Sequence, residues 1–255
     1  MGNYIINVVN RDGTTNMPLV MFDSGSFLRN IYDESDGKYH SNQHKYEWVH
    51  DDQLDWYEAA INDISRIEGR KVESIVFQHI PFPMYGTVID SYIKALTDLG
   101  EDWTDTIGES WTYGNTRTLD TKIGEITYHG GLYNDGAVAS SFKGEYCGKD
   151  FDGGHEFERL VDFGSTKYVF CGHDHRNTFS FTYKGIRMSY SLSIDYSANG
   201  IVPETIADNQ HIFDETAQRG GNLITIGAGG SVTVDQIHFT RNLYRETLAE
   251  LNMSK

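Results

Sequence analysis

The stretch KYVFCGHDHRN, residues 167–177, decides how the rest of the chain is interpreted. Its first five residues, Lys167 to Cys171, form a mostly apolar run with the length of one buried strand. Gly172 then permits a sharp turn, and His173 and His175 follow it. Side chains two residues apart on an extended chain project to the same side, so these imidazoles can serve one metal ion or a close pair.

A second predicted strand ends in the same way. Residues 72–77 are a largely apolar strand pattern, and His79 comes two residues later. The carboxyl ends of strands in an open α/β sheet are where ligands usually bind. The two segments therefore predict that His79, His173 and His175 lie at one edge of one sheet. On chemistry alone, solvated or hydrogen-bonded loop histidines are an equal alternative to metal ligands.

The remaining patterns predict an α/β fold with a mixed β-sheet and flanking helices. Helices are predicted at residues 51–67, 88–99, 156–163 and 243–251. Further strands are predicted at residues 4–9, 19–22, 179–183, 186–190, 223–226 and 232–239. Residues 29–47 are polar and predict a loop. We treat residues 1–255 as a single, partial domain, with residues 100–153 as an insertion or lid over the site.

The charge balance limits the classes of ligand. The chain has 37 acidic and 21 basic residues among 255, a formal net charge of -16, and no run of Lys or Arg. This charge disfavours nucleic acid, and an anionic substrate would need a metal to hold it. The apolar stretches are strand-sized, which predicts no membrane association. No signal peptide pattern is present, which favours the cytoplasm and otherwise leaves the compartment open.

The segment Gly172-His173-Asp174-His175 resembles the GHxH signature of calcineurin-like metallophosphoesterases. His79 resembles the single-histidine motif that precedes it in that family. The resemblance is closer to the subgroup related to purple acid phosphatases, and its order and spacing extend over about residues 4–239. In chain order, the segments that carry it are Asp23-Ser24-Gly25, residues 48–56 at the start of the first predicted helix, His79 to Pro83 with Tyr85, and Gly172 to Asn177.

The resemblance implies a metal-dependent phosphatase, with phosphomonoesters favoured over diesters, acting on a phosphorylated small molecule or phosphoprotein. The fold implied is the C-terminal half of a four-layer αββα sandwich. His79 and His173 would bind one metal of a dinuclear Fe, Mn or Zn centre, and His175 the other.

The same resemblance suggests supporting positions around these histidines. Asp174 and Asn177 would orient them, although both also fit ordinary loop-capping residues. His155 and Tyr85 would lie near the substrate, and His155 also fits a plain helix N-terminal residue. Catalytic residues beyond the metal ligands stay unassigned.

The motifs of the family's N-terminal half do not occur in this sequence. They are Asp-x-His, Gly-Asp and Gly-Asn-His-Asp/Glu, which supply the bridging carboxylate and the general-acid histidine. We therefore expect the chain alone to be inactive, with partial metal occupancy at most. The sheet would expose an apolar face, which predicts self-association or docking of a missing N-terminal half. The alternative is a non-catalytic remnant or subunit that binds a partner through this sheet.

Overall fold

The computed structural model describes residues 2–26, 30–33, 35–41, 46–101, 116–129, 155–174, 177, 179–192, 194 and 220–238. Over these residues the chain has an α/β fold with an eight-stranded mixed sheet and three helices, which confirms the predicted class. The helices are α1 (Asp51–Glu68), α2 (Met84–Asp98) and α3 (Glu156–Phe163). None of the helices in the described ranges is long and apolar enough to cross a membrane.

The strands form one large sheet and two hairpins. The large sheet has the order β1-β2-β5-β8-β10-β9-β7-β6, in which β2, β5, β8 and β10 are parallel neighbours. The carboxyl ends of these four strands therefore lie at one edge. The strand bounds are β1 (Tyr4–Val9), β2 (Thr15–Met21), β3 (Asn30–Asp33), β4 (Lys38–Ser41), β5 (Ser74–Phe77), β6 (Arg117–Thr121), β7 (Gly124–Tyr128), β8 (Thr166–Cys171), β9 (Ser180–Tyr183), β10 (Ile186–Tyr190), β11 (Gly220–Ile226) and β12 (Val232–His238).

The three helices cover one side of the large sheet, which we call the first face. Their apolar stripes pack against the strands in one continuous core. Helix α1 ends at Gly69, whose φ of 64° places it in the left-handed region that glycine favours. The buried helix residues of this core include Leu54, Tyr57, Ile61, Val88, Tyr92, Leu96, Phe157 and Leu160, and the strand residues include Val20, Val76, Val169, Phe181 and Met188.

The opposite side, the second face, is partly covered by the β11–β12 hairpin. Val234 of β12 packs against Met17, Ile75 and Phe170 in a separate apolar cluster. The glycine-rich turn at 227–230 joins the two strands. Ile75 and Phe170 are consequently buried, so the expectation of a bare apolar face is wrong for β5 and β8.

The predicted loop at 29–47 is also wrong in part, because β3 and β4 pair there as an antiparallel hairpin. Both strands have only four residues and alternate little, so they lack a clear strand period. The usable signal was Asp36-Gly37 at the turn. Asp36 Oδ1 accepts a hydrogen bond from the Lys38 amide at 3.0 Å, and Gly37 has a φ of 68°.

Part of the predicted insertion at 100–153 belongs to the sheet itself. Strands β6 and β7 form a hairpin that extends the sheet beyond β9. The rest of this segment, residues 102–115 and 130–153, lies outside the described residues, as does the predicted helix at 243–251. A lid over the site stays a prediction.

Candidate metal centre

The histidine-bearing segments continue the sheet's hydrogen-bond ladder past the strand ends. The Gln78 amide donates to the Phe170 carbonyl at 3.0 Å, and the Gly172 amide donates to the His79 carbonyl at 3.1 Å. The Ser191 amide donates to the Cys171 carbonyl in the same way. Backbone bonds therefore fix the segment after β5 directly against the segment after β8.

This arrangement brings two of the predicted ligands together. The ring centroids of His79 and His173 are 5.3 Å apart, with the rings at 90°. A Cβ at Gly172 would lie 3.4 Å from His79 Nδ1, so Gly172 packs directly beside this imidazole. His173 has a φ of 70°, in the left-handed region where non-glycine residues are uncommon. Such strain is found mostly where a site requires it.

The separation of the two rings fits coordination of a single ion. With Zn–N bonds of about 2.1 Å and about 1.1 Å from ring centre to nitrogen, two imidazoles on a tetrahedral ion have centroids about 5.2 Å apart. Within the described ranges no three His, Cys, Asp or Glu side chains group as a metal cluster. His175, the third predicted ligand, lies outside those ranges. Metal binding by these histidines stays a prediction.

A buried polar network follows His173. Asp174 Oδ2 accepts hydrogen bonds from Asn177 Nδ2 at 3.0 Å and from the Tyr190 hydroxyl. All three side chains are buried, and the Asn177 amide also donates to the Asp174 carbonyl. The network ties the loop after β8 to the end of β10. The orienting role suggested for Asp174 and Asn177 stays a prediction.

The segment after β2 holds the His79 loop from its other side. Ser24 Oγ accepts a hydrogen bond from the Ile80 amide at 2.9 Å. The exposed Asp23 carboxylate accepts from the amides of Gly2 and Gly25, and these bonds lower the pKa of Asp23. Asp23 thus organises its own turn, and Ser24 fixes the backbone next to His79.

The two residues suggested to lie near the substrate occupy different surroundings. Tyr85 is buried in the first-face core, and its hydroxyl donates to the Val169 carbonyl at 2.8 Å. Burial raises the pKa of Tyr85 well above its usual value, so the hydroxyl keeps its proton and supports β8. His155 is exposed at the N-terminus of α3 and makes no side-chain capping bond there.

Sequence reasoning missed a buried amide–acid pair beside His79. Gln78 Nε2 donates to the Ile80 carbonyl at 2.9 Å and to Glu156 Oε2 at 3.3 Å. Glu156 is 2% exposed, and burial raises its pKa to about 8, opposed in part by the Gln78 bond. Gln78 Oε1 and Glu156 Oε1 have no hydrogen-bond partner among the described atoms. A proton on Glu156 removes the buried charge and supplies a donor to this pair.

No signal in the sequence indicates this burial. An acidic residue in the first turn of a helix is usually solvated and interacts with the helix dipole. The position of Glu156 under Gln78 depends on how α3 docks on the sheet.

Comparison with protein-family models found no match, and comparison with curated proteins found no significant similarity. The family resemblance therefore rests on the motifs in residues 23–25, 79–83 and 172–177 and on their order along the chain.

Proposed function

We propose that this chain supplies histidine ligands to a metal-dependent phosphoester hydrolase that favours phosphomonoesters over diesters. The observation that carries the proposal is the convergence of His79 and His173, with ring centroids 5.3 Å apart. They follow adjacent parallel strands at the carboxyl edge, where α/β sheets usually bind ligands. The phosphoester specificity rests on the resemblance of the motifs alone.

His79 and His173 would hold one metal ion, and His175 would belong to the second. Imidazole nitrogen suits Fe, Mn and Zn alike. When bound, the metals supply an activated water and neutralise charge on the phosphoryl oxygens. The chain's own contribution is to fix the backbone segments that carry the imidazoles, through the bond from the Gly172 amide to the His79 carbonyl and the network around Asp174.

The proposal includes a second component that completes the site. The sequence lacks the family motifs that carry the bridging carboxylate and the general-acid histidine. We infer that the sheet corresponds to the C-terminal half of a four-layer αββα sandwich. The N-terminal half would then be supplied by residues outside this sequence. This chain by itself should then bind metal partially and turn over little or no substrate.

One observation favours the alternative of a non-catalytic, partner-binding subunit. On edge strand β1, Tyr4 is 53% exposed and Ile6 is 49% exposed. They pair with Met21 and Leu19 of β2, both half-buried, so an apolar patch lies beside the carboxyl edge of the sheet. A partner seated on this patch is what the alternative function requires, and metal binding by the histidines separates the two proposals.

The test is calorimetric titration of Zn²⁺, Mn²⁺ and Fe²⁺ into metal-free protein. We expect binding by the wild type, and at least tenfold weaker binding by His79→Ala and by His173→Ala. His50→Asn is the matched control, because exposed His50 lies at the N-terminus of α1 and asparagine is also a good capping residue there. No binding of any of the three metals by the wild type would refute the proposal.

Hydrolysis of a generic aryl phosphate tests the incomplete site. We expect little or no turnover from the metal-loaded chain, because hydrolysis with two metals depends on both ions being held in place. Robust turnover that His173→Ala abolishes would show that no second component is required.

A further inference from the structure

The second face changes from apolar to polar between β8 and the far side of the sheet. Arg187 of β10 lies opposite Thr182 of β9, which lies opposite Thr127 of β7, which lies opposite Thr118 of β6. These four side chains share one face because paired residues project to the same side of a sheet. The second face there is hydrophilic, and it ends against the β11–β12 hairpin.

A cavity of about 360 Å³ lies at this boundary. Its lining includes Lys167 of β8, Arg187 of β10, His129 after β7, and Ser231 of the hairpin turn. A volume of this size is within the range of small-molecule sites, about 300–1,000 Å³. The pocket therefore collects cationic and hydroxyl-bearing side chains from several elements of a strongly acidic chain.

Arg187 is oriented before any ligand arrives. Its Nε donates to Ser180 Oγ at 2.9 Å, and Ser180 Oγ is 2.7 Å from Ser189 Oγ. In the part of the chain that the structure describes, no other side-chain hydrogen bond of Arg187 is present. A guanidinium anchored through Nε keeps its two terminal nitrogens for a bidentate contact with an oxyanion.

The other two groups set the charge of the pocket. Lys167 Nζ is 3.6 Å from Glu73 Oε1, and both side chains are more than one-third exposed, so this pair is weak. His129 Nε2 is 2.6 Å from Thr182 Oγ1. Burial and then the Arg187 charge lower the pKa of His129 to about 4, so the imidazole is neutral at pH 7. Two cations therefore face one carboxylate, and the pocket keeps a net positive charge.

We propose that this pocket binds a small molecule through a phosphate or carboxylate group, with Arg187 as the bidentate contact and Lys167 as the second cation. The pocket is separate from the histidine edge. Lys167 and Arg187 lie near the amino ends of β8 and β10, and the five residue-to-residue steps from Lys167 to Gly172 span about 16 Å of extended chain.

The test is calorimetric titration of inorganic phosphate and, separately, citrate at low ionic strength. The protein is first freed of metal on a chelating resin, so that neither anion binds through a metal at the histidines. We expect one of the two anions to bind the wild type, and Arg187→Gln to weaken that binding at least tenfold. Arg66→Gln is the matched control because it removes the same charge from an exposed α1 residue that pairs with nearby Asp63.

Lys167→Gln provides a second variant, because Lys167 is partly exposed and its loss should not affect folding. We expect it to weaken binding severalfold, and circular dichroism would establish that both variants are folded. No binding of either anion by the wild type would overturn the proposal. Equal weakening by Arg187→Gln and Arg66→Gln would also overturn it, because the effect would then come from net charge. The result is independent of the proposed hydrolase activity.

Discussion

The apolar side chains on the two faces of the large sheet are buried by different elements. On the first face, three helices cover apolar side chains from β2 as far as β7 in one continuous core. On the second face, within the described part of the chain, the β11–β12 hairpin covers the apolar cluster around Ile75 and Phe170. Beyond that cluster the strands present Arg187, Thr182 and Thr127, which require no cover.

The strand sequences account for this difference. Strand β9 alternates as Ser180-Phe181-Thr182-Tyr183, which gives it one apolar and one polar side. Strand β8 is apolar on both sides from Tyr168 to Cys171, which indicates that it is covered twice. Alternation of polar and apolar residues along a strand therefore indicates that one of its faces is covered, and an unbroken apolar run indicates that both are.

The sharpest test of this comparison uses neighbouring residues on β9. Phe181→Ala should lower the free energy of unfolding by about 3–5 kcal/mol, because it opens a cavity among the rings of Tyr92, Tyr128 and Phe179. Thr182→Ala should cost only about 1 kcal/mol, the loss of a hydroxyl that contacts His129. Urea unfolding of both variants measures the difference. Similar losses would mean that something covers the second face at β9 as tightly as the helices cover the first.

Much of the fold could be predicted because most elements have a clear period and a clear end. The predicted bounds of β1, β10 and α3 are those of the structure. Strand β2 begins at Thr15, earlier than the predicted Leu19. Its residues from Thr15 to Pro18 are paired with β1, and pairing with β5 begins at Leu19. The β3–β4 hairpin was missed because its strands are short and polar.

The second prediction concerns the acid buried under the helix-covered side. Glu156 has its pKa raised from 4.5 to about 8, so the folded protein keeps a proton that the unfolded chain releases in that window. The stabilisation is complete below pH 4.5 and is lost as pH rises towards 8. The slope is about 1.4 kcal/mol per pH unit. Glu156→Gln, which mimics the protonated acid, should remove this dependence.

The measurement is urea unfolding of wild type and Glu156→Gln between pH 6 and pH 7.5. Over this range the wild type should lose about 2 kcal/mol relative to the variant. All other titrating groups are shared, so the difference isolates Glu156. Two curves that stay parallel would show that Glu156 is ionised in the folded protein.

The candidate site could be predicted only as far as the backbone determines it. His79 and His173 follow strands that the sequence indicates, and parallel pairing of β5 and β8 then brings them to one edge. The supporting contacts depend on packing between distant segments. The bond from Ile80 to Ser24 and the pair of Gln78 with Glu156 each join residues more than fifty positions apart. No local pattern encodes such contacts.

The last prediction concerns the β1 edge of the second face, where apolar side chains are exposed. Tyr4 and Ile6 lie beyond the hairpin's cluster, on an edge strand whose outer side has no neighbouring strand among the described residues. We expect weak self-association through this patch, and Ile6→Ser should reduce it without lowering stability by more than about 1 kcal/mol. Ile67→Ser is the control, because Ile67 is 73% exposed near the end of α1, far from this edge in sequence. Sedimentation velocity at several concentrations measures the effect. If the wild type is monomeric throughout, or if both variants change association equally, β1 is not an edge through which this chain self-associates.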